Sequence, residues 1–380
     1  MALSKNHSKL TLIFFLFFFI FNWVQSNAES KDSSSFTFSG YVDVYYARYS
    51  DSMPLNSQAK FADVCARNNT FGLNIFQFSC QYNSNKLRGT ATLHYGDIPL
   101  NAGSSTYNTT NSSSFNYIQE ANIGFKVNKY IWIDAGFFKT HIGTESILPK
   151  ENICNSVSVI TFYEPWFQSG VKISYAPNEQ LFFCFHVLNG YNTFVETNNK
   201  KIIGLSATYA LGTKGSIGYF NLIGDETTDS INSTKLHIRF LNNFVFNYQL
   251  TQKIKMVLGF DYISQQNSSI TNANDAAVIY SGIATFKYQI KPKMAVYARY
   301  EMYNDASGML SGIIHNVKNI STGYILNGFT GGIEYKPTDN SFVRLESRYL
   351  LMDNDQKIFL TDSKATNIRT EWMMNAGITF

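Results

Sequence analysis

From residue 36 to the terminal Phe380 the chain breaks into about sixteen segments in which apolar and polar side chains alternate. They are 36–49, 69–83, 86–96, 115–127, 131–139, 165–176, 180–190, 200–211, 215–224, 233–249, 252–264, 276–290, 293–303, 324–336, 340–352 and 367–380. Successive side chains of a strand point to opposite faces, so each segment reads as a strand with one apolar face. Ile254, Met256, Leu258, Phe260 and Tyr262 oppose Lys255, Gly259 and Asp261; Val343, Leu345, Tyr349 and Leu351 oppose Arg344, Glu346 and Arg348. The connectors alternate in length. Asn83-Ser84-Asn85, Pro177-Asn178-Glu179, Gly212-Thr213-Lys214 and Pro337-Thr338-Asp339 carry tight-turn chemistry. Between them lie long stretches rich in Ser, Thr, Asn and Asp, among them 50–68, 97–114, 140–164 and 304–323. A soluble sandwich has no need of strict alternation, whereas a membrane barrel carries turns on one rim and loops on the other. The expected fold is all-β: a transmembrane antiparallel up-and-down β-barrel with short periplasmic turns and long extracellular loops. An even strand count puts both termini on the short-turn rim, and sixteen strands enclose a lumen wide enough for water.

The two ends fit this picture. In the last stretch Trp372, Met374, Ala376, Ile378 and Phe380 share one face, and the chain stops on that aromatic. Such an ending resembles the closing strand of bacterial outer-membrane barrels, in which the strand is read by the barrel-assembly machinery; Phe380 would be that insertion signal. At the other end, residues 1–28 read as a signal peptide. Lys5 and Lys9 precede a short apolar core from Leu10 to Phe21, and Ser26-Asn27-Ala28 supplies small residues for cleavage. Residues 29–35 would form a short periplasmic segment and 36–380 the barrel. Loss of the two lysines takes the net charge from +4 to about +2, a balance that speaks against nucleic acid as a partner.

Charged residues make up only 15% of the chain, against a usual share of about 25%, while aromatics reach 16%. A wall that meets lipid outside and water inside needs this mixture. Cys65, Cys80, Cys154 and Cys184 lie far apart with no CxxC pair, so neither a metal cluster nor a cofactor is expected. Cys65 and Cys154 fall in loops on the same side of the membrane, which leaves a bridge open; Cys80 and Cys184 read as packed strand residues. There is no GxSxG, HExxH or phosphate-binding glycine loop, so the chain is not expected to be an enzyme.

Alternation places charged side chains on the inner face, because charge on the lipid face costs about 2–4 kcal/mol at the midplane. The candidate pore-lining residues are Arg88, Lys126, Asp134, Lys172, Arg239, Lys255, Asp261, Arg299, Glu301, Glu334, Arg344, Glu346 and Arg348. They could tune ion selectivity, with a slight basic excess, or form an internal salt-bridge lattice that stiffens the wall. The loop from Thr140 to Glu164 is less polar than a solvated loop should be. It is a candidate constriction that folds inward, with His141, Glu145, Lys150 and Glu151 as its polar residues. His141 and Glu145 alone do not make a metal site.

Several runs resemble the OmpL-like outer-membrane β-barrel porin family of Gram-negative bacteria. They are Ser39-Gly-Tyr-Val-Asp-Val-Tyr-Tyr46, Glu120-Ala-Asn-Ile-Gly124, Val187-Leu-Asn-Gly-Tyr191, Ala298-Arg-Tyr-Glu-Met-Tyr303 and the stretch Pro337 to Tyr349. The most specific is Trp132 to Ser146, which departs from the family's Phe-Pro-Ser-His at Phe138-Lys139-Thr140-His141. The resemblance implies an outer-membrane location and a porin-like role. The expected function is passive diffusion of ions and small hydrophilic solutes across the outer membrane. The alternative is a structural or surface-binding barrel with a blocked lumen, whose extracellular loops engage a partner. Outer-membrane lipid is an expected partner in either case, and a homo-oligomer is left open. A plugged active transporter is not expected, since no plug segment precedes the barrel.

Overall fold

The computed structural model describes residues 34–54, 57–103, 115–196, 198–227 and 235–380. The expected signal peptide, 1–28, lies outside the described residues. Sixteen strands form one closed antiparallel barrel in chain order. They are β1 (Ser35–Tyr49), β2 (Thr70–Asn83), β3 (Leu87–Tyr95), β4 (Ile118–Lys126), β5 (Ile131–Lys139), β6 (Phe167–Tyr175), β7 (Leu181–Leu188) and β8 (Ile202–Ala210). The second half comprises β9 (Gly215–Asp225), β10 (Ile238–Gln249), β11 (Ile254–Gln265), β12 (Ala277–Lys291), β13 (Met294–Asn304), β14 (Ile325–Tyr335), β15 (Ser341–Met352) and β16 (Ile368–Thr379). Every expected segment is a strand of this wall. The widest departure is β10, which begins at Ile238 instead of residue 233, because its ladder with β9 starts only at Ile238↔Asp225.

Closure joins the first strand to the last, in register from Tyr41↔Thr379 to Tyr49↔Glu371. Beyond the ladder, Phe380 and Gly40 exchange backbone hydrogen bonds of 2.6 and 3.1 Å. The Phe380 ring lies where a side chain on residue 40 would stand, so the glycine leaves room for the terminal aromatic over the seam.

Alternation holds along the wall. Leu345, Phe260, Phe329, Ile203 and Leu205 are exposed on the outside, while their neighbours Arg344, Glu346 and Asp261 are buried within. Exposed tyrosines form two belts. Tyr130, Tyr175, Tyr209, Tyr288 and Tyr335 stand near the short-turn rim; Tyr95, Tyr117, Tyr262, Tyr280 and Tyr300 stand toward the other. Amphipathic rings at both edges of an apolar band mark the two interfaces of a bilayer. Among the described residues no helix is long and apolar enough to cross a membrane; the crossing is made by strands. Phe260→Arg puts a charge in mid-band and should destabilise the refolded barrel by about 2–4 kcal/mol in urea titrations in lipid. Unchanged stability would mean that this face is not in hydrocarbon.

The connectors 84–86, 127–130, 176–180, 211–214, 250–253, 292–293 and 336–340 close one rim, and the longer ones close the other. Two of the long connectors, 50–69 and 140–166, turn into the barrel, and this shapes everything inside it.

Candidate functional site

The loop 140–166 lies against the inner wall of β13 to β15. The backbone N–H groups of Asn155 and Ser156 donate to the two Glu346 oxygens at 2.6 and 2.8 Å, and Val159 N–H donates to Glu301 at 2.7 Å. In return the Arg344 guanidinium donates to the carbonyls of Pro149 and Asn152, both at 2.8 Å, and of Cys154 at 3.3 Å. Arg299 donates to Glu145 Oε1 and to the Ser156 carbonyl, each at 2.6 Å. A short helix, Val159–Tyr163, completes the turn back to β6. The wall thus satisfies backbone groups that a loop held away from water would leave bare.

These wall residues also hold one another. Arg348 donates to both Glu301 oxygens at 2.9 and 3.0 Å, and Arg344 donates to Glu334 at 2.9 Å. Lys287 bridges to the same Glu334. On the adjoining strand β16 Arg369 pairs with Glu371 at 2.5 Å, and Glu371 lies 3.6 Å from Arg348. Burial of a charge is tolerable only with partners of this kind.

The second inward loop caps the first. Phe61 packs edge-on to Phe162, Tyr163, Tyr324 and Phe359. Its carbonyl accepts from Arg348, and the Lys60 carbonyl accepts from Arg369. Asp63 is buried with one oxygen unpartnered, and burial pushes its carboxyl up to about 8. Cys65 and Cys154 are buried free thiols, as Cys184 is. The bridge left open in the sequence is not formed. Instead Cys65 Sγ accepts from Asn155 at 3.1 Å and from Asn74 at 3.5 Å. Cys80 points outward, on the same face as Phe78 and Tyr82.

All thirteen charged candidates fall on the inner face, but they divide into two groups. Arg299, Glu301, Glu334, Arg344, Glu346 and Arg348 are buried beneath the loop and make the lattice. Arg239 and Asp261 are buried too: Arg239 donates to Gln265 at 2.8 Å, and Asp261 accepts from Asn243 at 2.8 Å. The open space lies on the opposite side. A cavity of about 460 Å³ is bounded by β3 to β9 and the base of the loop, with Arg88, Lys139, Lys172, Glu120 and Asp134 among its lining. Arg88 bridges to Asp134 at 2.5 Å and lies over the Trp132 ring. Lys172 lies over the Phe138 ring with its nitrogen 4.2 Å from the centroid. Lys126 and Lys255 are exposed near the short-turn rim.

Of the loop's polar residues, His141 stacks on His186, centroids 3.9 Å apart, and Lys150 donates to Gln77 at 3.2 Å. Glu151 accepts from Ser146 at 2.5 Å and pairs with Lys139 at 3.5 Å. Glu145 is taken up by Arg299. Sequence reasoning missed the inward course of 50–69 and the part played by Arg369 and Glu371. The signal was present in Phe61-Ala62 and Val64-Cys65-Ala66, too apolar for a solvated loop. Among the described residues no group of three or more His, Cys, Asp or Glu side chains is placed to hold a metal ion.

A closed sixteen-strand wall has counterparts among solved structures. The chain is similar to an anion-selective porin from Comamonas acidovorans, at 10% identity and a TM-score of 0.58, covering 92% of this chain and 100% of that one. It is similar to the outer membrane channel DcaP of Acinetobacter baumannii, at 12% identity and 0.58, covering 92% and 99%. OmpF of Salmonella typhi, solved with daunomycin, gives 10% and 0.59, covering 91% and 97%. Among curated proteins no sequence matches. At such identities the likeness speaks for the fold. The family model described as "Putative beta-barrel porin-2, OmpL-like" matches residues 35–380, the whole wall and the end of the chain. The chain therefore belongs to the OmpL-like β-barrel porin family and is a channel-forming porin of the bacterial outer membrane.

Proposed function

We propose that ions and small hydrophilic solutes diffuse through the part of the lumen bounded by β3 to β9, down their gradients and with a weak preference for anions. The observation that carries this is the charge balance of the open cavity. Arg88, Lys139 and Lys172 face Glu120 and Asp134 there. Asp134 is matched by Arg88 and Lys139 by Glu151. Among the described residues Lys172, over the Phe138 ring, and Lys126 and Lys255 toward the short-turn rim have no ion pair, and they outnumber the one such carboxylate of the cavity, Glu120. A cation without a carboxylate partner attracts anions into a narrow, low-dielectric passage. The six buried lattice residues have a different part: they hold the constriction loop in place. The short-turn rim faces the periplasm. Residues 1–28 serve as the signal peptide, and Phe380 is the feature that the assembly machinery reads. A blocked barrel that binds a partner through its loops has no observation in its favour.

The test is the reversal potential of the refolded channel in a planar bilayer under a KCl gradient. The wild type should favour chloride. Lys172→Glu should move the potential toward potassium, and toward full cation preference when combined with Arg88→Gln. An unchanged potential in Lys172→Glu would refute this route for the ions.

A further inference from the structure

Two buried side-chain nitrogens stand unpartnered at one small cavity. Gln119 of β4 is 3% exposed and His94 of β3 is 8% exposed. Among the described residues neither Gln119 Nε2 nor His94 Nδ1 has a hydrogen-bond partner. A β-bulge brings the two together. The β3–β4 ladder passes from Thr92↔Glu120 to Leu93↔Ile118, so Gln119 is an extra residue on β4. A bulge re-aims a side chain, and here it turns Gln119 inward. His94 follows Leu93 on the inner face, a diagonal neighbour within reach of a long side chain. Both line a cavity of about 20 Å³, walled largely by apolar groups such as Ile147, Trp166, Phe167 and Phe194.

The surrounding hydrogen bonds fix which atom is which. An ammonium can only donate, so it is the Gln77 oxygen that faces Lys150, at 3.2 Å. Gln77 Nε2 then donates to Gln119 Oε1, which leaves Gln119 Nε2 as a bare donor. His94 is bonded to the backbone of Asn116, whose carbonyl can only accept. The bonded ring nitrogen therefore carries the proton, and Nδ1 of a neutral imidazole is a bare acceptor. A bare donor and a bare acceptor are each costly when buried, and they meet at a space the size of one water. An amide N–H offers a cation nothing, and the bare Nδ1 lone pair refuses an anion. Water satisfies both, since it accepts from one and donates to the other.

We propose that this cavity binds one water, accepting from Gln119 Nε2 and donating to His94 Nδ1, and that the water completes a relay pinning the inward loop beside the seam. The relay runs from Lys150 through Gln77, Gln119 and the water to His94 and the Asn116 carbonyl. Every bond in it is donated in the same direction, so each polarises the next. Its place gives it a task. The turn Pro149–Glu151 reaches from β15 to β2, past the junction of β16 with β1. On one side Arg344 of β15 holds the Pro149 carbonyl at 2.8 Å. Midway, Lys150 Nζ stands 4.6 Å from the centroid of the Tyr41 ring of β1. On the other side the relay ties Lys150 to β2, β4 and β3. Gln77, Gln119 and His94 are thus positioning residues for the loop, and the relay does not depend on how solutes cross the lumen.

The experiment uses the full barrel refolded from denaturant and has two parts. The first is a crystal structure of the wild type at a resolution that shows other buried waters. The expected result is a peak at about 2.7–3.2 Å from both nitrogens. Clear density for the two side chains with no peak between them would overturn the site. The second is urea unfolding in lipid vesicles of the wild type, Gln119→Met, Lys150→Met and the double variant, with folding checked by the heat-induced shift on a gel. Each single change should lower the folded-to-unfolded ratio at least about fivefold. Gln119 and Lys150 are joined through Gln77, and either change breaks the same relay. The double variant should therefore lose less than the product of the two single effects. Effects that simply multiply, as for residues with no shared partner, would overturn the positioning role. If a variant does not fold, the wild-type density still decides the water. Neither part uses conductance, so failure here leaves the porin reading standing.

Discussion

Glu301→Leu is expected to cost the barrel about 3–5 kcal/mol of unfolding free energy, the scale for removing one partner of a buried ion pair. Glu301 is the hub of the lattice. It accepts from Arg348 at 2.9 and 3.0 Å, from Arg299 at 3.3 Å and from the Val159 N–H at 2.7 Å. Leucine would leave two guanidiniums short of a counter-charge and one loop N–H without this acceptor. Adding Arg348→Met should recover part of the loss, because a charge then leaves together with its partner. Urea titration of the four members of this cycle in lipid vesicles reads both terms. If the single variant lost under about 1 kcal/mol, the typical value of an exposed pair, the lattice would be solvated.

The second large effect concerns the passage itself. Replacement of residues 145–158 by a short Gly-Ser linker should raise single-channel conductance at least about twofold, since a sixteen-strand barrel without its inward loop has a wide lumen. The segment is tied to the wall through Glu346, Arg299 and Arg344, so its removal uncovers all three. Stability should fall as well, because Arg344 loses three carbonyl acceptors at once. The readout is conductance per step in symmetric KCl, with folding verified beforehand by the heat-induced gel shift. Conductance equal to that of the wild type would mean that the loop does not limit the flow.

The wall was legible in the sequence because its determinants are local. Alternation fixes which face a side chain takes, and the turn residues fix where a strand stops; Trp372, Met374 and Ile378 fall on the outer face as read. The same rule brought every charged candidate to the inner face. It could not separate Arg88 and Lys172, which border open space, from Arg299 and Arg348, which are buried. That distinction depends on contacts such as Asn155 with Glu346, residues far apart in the chain, and no periodicity encodes them. For 140–164 an unusually apolar loop gave a hint. For 50–69 the same hint, in Phe61 and its neighbours, went unused, and the Cys65–Cys154 bridge is open in the sequence only because both residues fall in loops on the same side.

The most direct test of the account is single-channel recording of the refolded wild-type barrel in a planar bilayer. Discrete, stable conductance steps with a reversal potential on the chloride side are the predicted result. A barrel that inserts and shows the heat-induced gel shift but passes no current would contradict it, because the space beside β3 to β9 would then not run from one rim to the other.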